Sequence, residues 1–269
     1  MKDNRSYISK KYAALKRYYM WYCVSKKLDL ILVSEFPKSG GTWYCQMLSD
    51  YLQLPYPRNR TPRLEKSVLH GHPLYSPHFN KIVCVIRDGR DVLVSCYHHM
   101  YFGNSIMQSS TVQHYRVRAP FKNFENIKEN MPAHIEYMFT KFTLGIEKIN
   151  WSSFVQSYIN KKNVLFVKYE NLLSNAEKEM TGSIIALLDD SHIIDSQRLQ
   201  KVIQNNSFEN LSKRKKGEEN KTEFLRKGIA GDWKIYFSKE ACQLFDYFGG
   251  NELINLGYEF NHDWYNNVQ

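Results

Sequence analysis

Residues 28–43 read LDLILVSEFPKSGGTW, and the fold turns on them. The first part, residues 28–33, is a short apolar run rich in β-branched side chains and closed by polar ones, which is the pattern of a buried strand. The second part, Phe36 to Trp43, runs directly into a segment where Tyr44, Met47, Leu48 and Tyr51 recur at i, i+3, i+4 and i+7, the spacing of an amphipathic helix. A strand that turns through glycines into a helix has the geometry of a phosphate cradle. The backbone amides of Gly40, Gly41 and Thr42 can approach an anion, and the helix N-terminus adds positive dipole. Lys38 supplies a point charge, and the hydroxyls of Ser39 and Thr42 can donate hydrogen bonds. The loop is not GxxxxGK[ST], because Lys38 precedes both glycines, and this argues against an ordinary ATPase or kinase.

Outward from that stretch, residues 82–86 (IVCVI) and 164–167 (VLFV) are further buried strands. Helical spacing follows in Leu93, Cys96, Tyr97 and Met100, in Phe139, Phe142, Ile146 and Ile149, and over residues 177–188. Strand, loop and helix repeated along the chain predict an α/β fold, a single domain over residues 1–269 with a central parallel sheet flanked by helices and ligands at the carboxyl ends of the strands. Residues 1–27 form an N-terminal helical extension, and residues 103–130 and 212–222 are long loops suited to act as lids.

The chain has 269 residues, with 37 Lys and Arg against 27 Asp and Glu, a net charge of +10. Its 43% apolar content excludes intrinsic disorder and a disulfide-stapled miniprotein. The basic surplus fits nucleic acid, an anionic membrane or a small, highly charged ligand, and composition does not choose among them. Cys23, Cys45, Cys84, Cys96 and Cys242 show no CxxC pair or metal spacing, so buried, reduced thiols are expected. No apolar run reaches the ~18 residues of a membrane span, and no signal-peptide pattern opens the chain. The expectation is therefore a cytoplasmic protein without a membrane partner.

Two further loops carry chemistry. Arg87 closes the second apolar strand, ahead of Asp88, Gly89, Arg90 and Asp91 and of a helix bearing Ser95, and an arginine there can grip a phosphate bidentately. Residues 226–233, RKGIAGDW, place two cations before two glycines.

Together the three segments resemble the sulfotransferases that use 3′-phosphoadenosine 5′-phosphosulfate (PAPS), in their cytosolic small-molecule branch. PKSGGTW is similar to the family's 5′-phosphosulfate loop, usually PKSGTTW; IRDGRDVLVSCYHH resembles its 3′-phosphate segment; FLRKGIAGDW resembles its RKGxxGDW signature. Fainter likenesses are Lys168 to Leu172 and Asn206-Ser207-Phe208. The resemblance implies that Lys38, Ser39, Gly40, Gly41, Thr42 and Trp43 hold the phosphosulfate and adenine side. It places Arg87, Ser95, Arg226, Lys227 and Gly228 on the 3′-phosphate, and Tyr169, Ser207, Phe208 and Leu225 around the adenosine. It also implies in-line transfer of a sulfonate group to a hydroxyl, or secondarily an amine, of a small organic molecule such as a specialised metabolite. Adenosine 3′,5′-bisphosphate (PAP) is released, and no metal is needed.

The family's base is a histidine in a segment resembling KTHxP. Here residues 68–73 read VLHGHP, which puts His72 on the base and His70 on the family's lysine. The proline follows His72 at once instead of one residue later, so His70 stands in reserve as the base. A histidine suits the role because its ordinary pKa of about 6.5 leaves a neutral fraction at neutral pH. Of the adjacent His98 and His99, at most one faces a cleft, and His78, His114, His134, His192 and His262 have no metal-ligand spacing. Tyr101, Phe102, Tyr115, Phe121 and Phe124 suit either a lid over a ring-bearing acceptor or a self-packed surface loop. After Trp233 the family's Thr-Val dimer pair is missing from residues 234–240, which leaves monomer and dimer both open. Two other readings remain: a PAP- or PAPS-binding protein of the same fold without turnover, and a basic nucleic-acid-binding protein.

Overall fold

Strand Ile31–Glu35 is buried at every residue because a strand lies on each side of it. The computed structural model describes residues 5–105, 107–144, 148–188 and 193–267. In chain order its elements are α1 (Tyr7–Tyr22), β1 (Ile31–Glu35), α2 (Gly41–Leu52), β2 (Val68–Gly71), β3 (Lys81–Ile86), α3 (Gly89–Tyr97), α4 (Ser109–Arg118), α5 (Ile127–Thr140), α6 (Trp151–Tyr158), β4 (Val164–Lys168), α7 (Tyr169–Leu188), α8 (Ser196–Asn205), α9 (Phe208–Ser212), α10 (Trp233–Tyr236) and α11 (Lys239–Asn255). A π-helical turn, His98–Phe102, extends α3, and a 3₁₀ turn covers Trp264–Asn267. The described residues form two compact units: a sheet unit of residues 5–86 and 160–216, and a helical unit of residues 87–159 and 217–267.

In the sheet unit all pairings are parallel, in the order β2-β1-β3-β4. Ile31, Val33, Val68, Val83, Val85 and Val167 fall on one face, as the two-residue period of a strand requires, and meet Tyr44, Met47 and Leu48 of α2, Met180 and Ile184 of α7, and Leu199 of α8. The order reverses beside β1, so the loop that leaves β1 sits where such sheets place their ligands. α7 breaks at Asn175 (φ −152°), whose side-chain oxygen accepts from the Lys178 amide and so caps the second half.

The helical unit gathers α5, α6 and α11 around Trp151, Phe245 and Phe139. A Cβ at Gly89 would stand 2.6 Å from the Trp151 ring and 2.7 Å from Phe245, so only glycine lets α3 start there. Asp88 caps that start by accepting from the Arg90 amide.

Several expectations shift. β1 begins three residues later and reaches Glu35, because Asp29 sits in a left-handed turn (φ 46°) with its carboxylate held by Lys66 and Lys81. Residues 68–71, which no apolar run marked as a strand, form the edge strand β2. α5 stops at Thr140, so Phe142 and Ile149 are buried outside a helix, and Ile146 lies outside the described residues, as does His192. The stretch 103–130 is partly helical, since it contains α4 and the start of α5. Its aromatics are packed on one another: Tyr97 stacks on Phe121 (5.6 Å between centroids), and Tyr101 meets Phe124 at 5.3 Å and His134 at 5.4 Å. All five cysteines are free thiols, with Cys23 exposed and the other four buried. Among the described residues no helix is long and apolar enough to cross a membrane.

Candidate active site

The sheet unit carries the strand-to-helix loop. Lys38 (φ 77°) and Gly40 (φ 100°) both take left-handed backbone, and Gly40 caps α2. Gly40 is fixed by space as well as by φ: a Cβ there would lie 2.5 Å from the ring of Tyr169. That ring also meets Trp43 edge-on at 6.0 Å, and the Trp43 indole N–H donates to the Asn206 carbonyl at 2.7 Å. Trp43, Tyr169, Asn206 and Ser207 are thereby drawn together. The Ser207 hydroxyl caps α9 by accepting from the Asn210 amide, and Phe208 is buried, with the Arg214 guanidinium over its ring. Ser39 is buried.

The amides of the loop are not all open to an anion. The Gly41 N–H donates to Glu35 Oε2 at 2.6 Å, so a carboxylate of the chain itself already occupies part of the helix N-terminus. This narrows the sequence expectation that the amides of Gly40, Gly41 and Thr42 can approach an anion, since the Gly41 amide is already engaged. A Cβ on residue 41 would come within 2.8 Å of the Glu35 carboxyl carbon, which is why a second glycine is needed here.

Glu35 organises more than the loop. Its Oε1 accepts from His70 Nε2 at 2.9 Å, and its backbone carbonyl accepts from His72 Nδ1 at 2.8 Å. The parallel register of β1 and β2, Val33 with His70 and Ser34 with Gly71, delivers both histidines to the carboxyl end of β1. The two rings lie 5.2 Å apart, and the Tyr56 ring is 6.4 Å from His70. Burial pushes the Glu35 carboxyl up, but the hydrogen bond and charge of His70, together with the Gly41 amide, outweigh it and hold Glu35 below the ordinary carboxylate range. Burial lowers His72, the neighbouring His70 lowers it further, and Glu35 only partly offsets this, so His72 is neutral at neutral pH. A carbonyl can only accept, which fixes the proton of His72 on Nδ1 and leaves the lone pair on Nε2. One donor atom from each of Glu35, His70 and His72 lies within 4.8 Å of the others, a spacing open to a divalent cation, but both Glu35 carboxyl oxygens are already hydrogen-bonded.

The helical unit carries the cationic loop. Arg87 is buried, donates to the Ile229 carbonyl at 3.2 Å and lies 3.7 Å from Asp91. Asp91 in turn accepts from the amides of Gly231 (2.6 Å) and Trp233 (2.9 Å), and so ties residues 231–233 to α3. Arg226 pairs with Glu219 and Asp232, and Lys227 with Asp232 at 2.6 Å. Burial raises Asp232, yet its two cationic partners prevail and keep it low. Gly228 (φ 67°) and Gly231 (φ 80°) make the two reversals of this loop. Leu225 and Ser95 are half-buried. His98 is buried with neither ring nitrogen hydrogen-bonded, while the Asn104 amide donates to His99 Nδ1 at 2.6 Å. Burial first, then Arg226 and Lys221, push His98 down to about 3, so it is a neutral imidazole among cations.

Sequence reasoning missed Glu35. The available signal was an acidic residue two positions past a strand predicted to be buried, a place where a carboxylate drawn into the sheet needs partners.

A parallel α/β sheet whose first strand turns through a glycine loop into a helix is an architecture that carries phosphate-bearing ligands. The chain belongs to the sulfotransferase domain family, which matches residues 60–257 and makes it a PAPS-dependent transferase. That match includes His70, His72, Arg87 and the RKG loop but begins beyond Trp43. Among curated relatives, the chain is 24% identical over 279 residues to sulfotransferase 1B1 of Canis lupus familiaris, covering 86% of each chain. It is also 24% identical over 278 residues to the amine sulfotransferase of Oryctolagus cuniculus, covering 86% of this chain and 83% of that one. The structure of mouse sulfotransferase SULT7A1 complexed with PAP superposes with a TM-score of 0.62 at 18% identity, covering 92% of this chain and 94% of that one.

Proposed function

We propose that the protein moves the sulfonate group of PAPS to a hydroxyl of a small organic molecule, with His72 as the base. The observation that carries this is the His72 Nδ1–H bond to the Glu35 carbonyl, which leaves Nε2 as a neutral, lone-pair nitrogen. Nε2 takes the proton of the acceptor hydroxyl as its oxygen bonds to sulfur. The bond from sulfur to the phosphate oxygen breaks, its electron pair stays on that oxygen, and PAP leaves. Lys38, with the hydroxyls of Ser39 and Thr42, stabilises the charge on the leaving phosphate. Trp43, Tyr169, Ser207, Phe208 and Leu225 take the adenosine, and Arg87, Ser95, Arg226, Lys227 and Gly228 take the 3′-phosphate. The residues fit such a donor chemically: a planar aromatic pair is present for a purine, and three cations for a phosphate. His70, held on Glu35, stands at the position where the family carries a lysine.

The test is incubation with PAPS and a panel of phenols, alcohols and amines, read by mass spectrometry. A gain of one SO₃ on a hydroxyl acceptor supports the reading, and a gain only on amines moves the acceptor class. Tight PAP binding with no transfer to any acceptor would make the protein a binding module, and steeply salt-dependent duplex binding without transfer would make it a nucleic-acid binder.

A further inference from the structure

α1 is built inside out for a free-standing surface helix. Ala13, Met20 and Trp21 are buried on one side, and the Arg17 guanidinium fastens that side by donating to the carbonyls of Pro57, Arg58 (3.0 Å) and Arg60 (2.9 Å). The Trp21 ring lies so close over Gly71 that a Cβ there would be 2.4 Å from it. The opposite side should be polar, yet Ile8, Tyr12, Leu15 and Tyr19, at spacings of four, three and four, are 79%, 58%, 70% and 48% exposed. Tyr7 and Tyr18 widen the same face. Exposed large apolar residues in such a stripe mark a contact surface.

Charge selects the occupant. From Arg5 to Leu28 there is no acidic residue, whereas Arg5, Lys10, Lys11, Lys16, Arg17, Lys26 and Lys27 are cationic. By helical geometry Lys11 and Lys16 lie on either side of the apolar stripe. Pairing two copies of this face would bring lysine onto lysine with no carboxylate to neutralise them. Tyrosine-rich apolar residues bordered by lysines are instead the composition that lies in the headgroup region of an anionic bilayer. We infer that the outer face of α1 docks the protein reversibly on an anionic membrane surface, in the interfacial plane and without spanning it. This departs from the sequence expectation of no membrane partner.

The test is co-sedimentation of the full chain with vesicles of pure phosphatidylcholine and with vesicles containing 30% phosphatidylserine, at two salt concentrations. The expected result is pelleting with the anionic vesicles, at least tenfold stronger than with the neutral ones and weakened by salt. Leu15→Glu should abolish it, and Lys11→Glu should weaken it by about fivefold or more. Both sites are exposed, and unchanged thermal melting and unchanged turnover of soluble acceptor are the controls. Absence of binding to the anionic vesicles, or equal binding by Leu15→Glu, overturns the inference. So does a concentration-dependent dimer, seen by sedimentation equilibrium, that Leu15→Glu disperses, since the face then belongs to a second copy.

Discussion

Both regions that bear on the donor bury carboxylates beside their functional groups, but they balance them differently. In the sheet unit the Glu35 carboxylate is held by hydrogen bonds from the His70 ring and the Gly41 amide, and its backbone carbonyl holds His72, which burial keeps as a neutral imidazole. In the helical unit Asp91 and Asp232 are balanced by Arg87, Arg226 and Lys227, which stay charged throughout the working range. On the proposed function, pH sensitivity belongs to the chemistry at His72, and the grip on the 3′-phosphate is set by the fixed charges of the arginines. The basic surplus acquires a different meaning too. The loop cations are already paired with Asp232 and Glu219, so on the proposed function an incoming phosphate exchanges partners with them and does not meet bare positive charge.

The largest expected effect is that of His72→Ala, which should lower kcat by about 10²–10⁴-fold and leave PAP affinity, measured by calorimetry, within about twofold. Loss of that size in His70→Ala, with His72→Ala active, would make His70 the base. In the wild type His72 is held below its ordinary value, so kcat should stay level down to about pH 6.5 and fall only below it. An acid limb centred above that value contradicts the assignment. Lys38→Ala should follow, at about 10²–10³-fold in kcat, with the loss shrinking for donors whose leaving group is more acidic.

Arg226→Ala probes the other region. It should weaken PAP binding by about 10–100-fold, the range for hydrogen bonds to charged groups, with kcat at saturating donor unchanged and the loss independent of pH from 6 to 8. A pH-dependent loss would erase the contrast between the two regions. The smallest effect is in stability. Because the folded pKa of Glu35 is depressed, its contribution is complete above the unfolded carboxyl value of about 4.3 and is lost as pH falls through the folded value. Glu35→Gln should cost about 1–3 kcal/mol at pH 7, measured by urea unfolding, and the gap to wild type should narrow in acid. A constant gap would mean that the carboxylate form of Glu35 contributes nothing.

Much of this was legible in the sequence where one local rule sufficed. Tyr44, Met47, Leu48 and Tyr51 are buried as their spacing requires, and the strands at residues 82–86 and 164–167 lie where the apolar runs place them. β2 was not legible, because Val68–Gly71 is short and contains a histidine and a glycine, and only pairing with β1 makes it a strand. Nor was the carboxylate on the Gly41 amide, since Glu35 and Gly41 meet through a tight turn whose left-handed residues include Lys38, a conformation that sequence does not announce for a lysine. The fate of the aromatics from Tyr97 to Phe124 depended on which partners tertiary contact supplied, and they found one another.

The parallel sheet has a consequence for how the chain is made. β3 pairs with β1 on one edge and with β4 on the other, yet residues 87–163, most of them in the helical unit, are synthesised between β3 and β4. Until Val164–Lys168 leaves the ribosome, the apolar strand Ile82–Ile86 offers an open hydrogen-bonding edge of the kind that recruits other chains. Slow synthesis of the intervening helices lengthens the time for which that edge stays open.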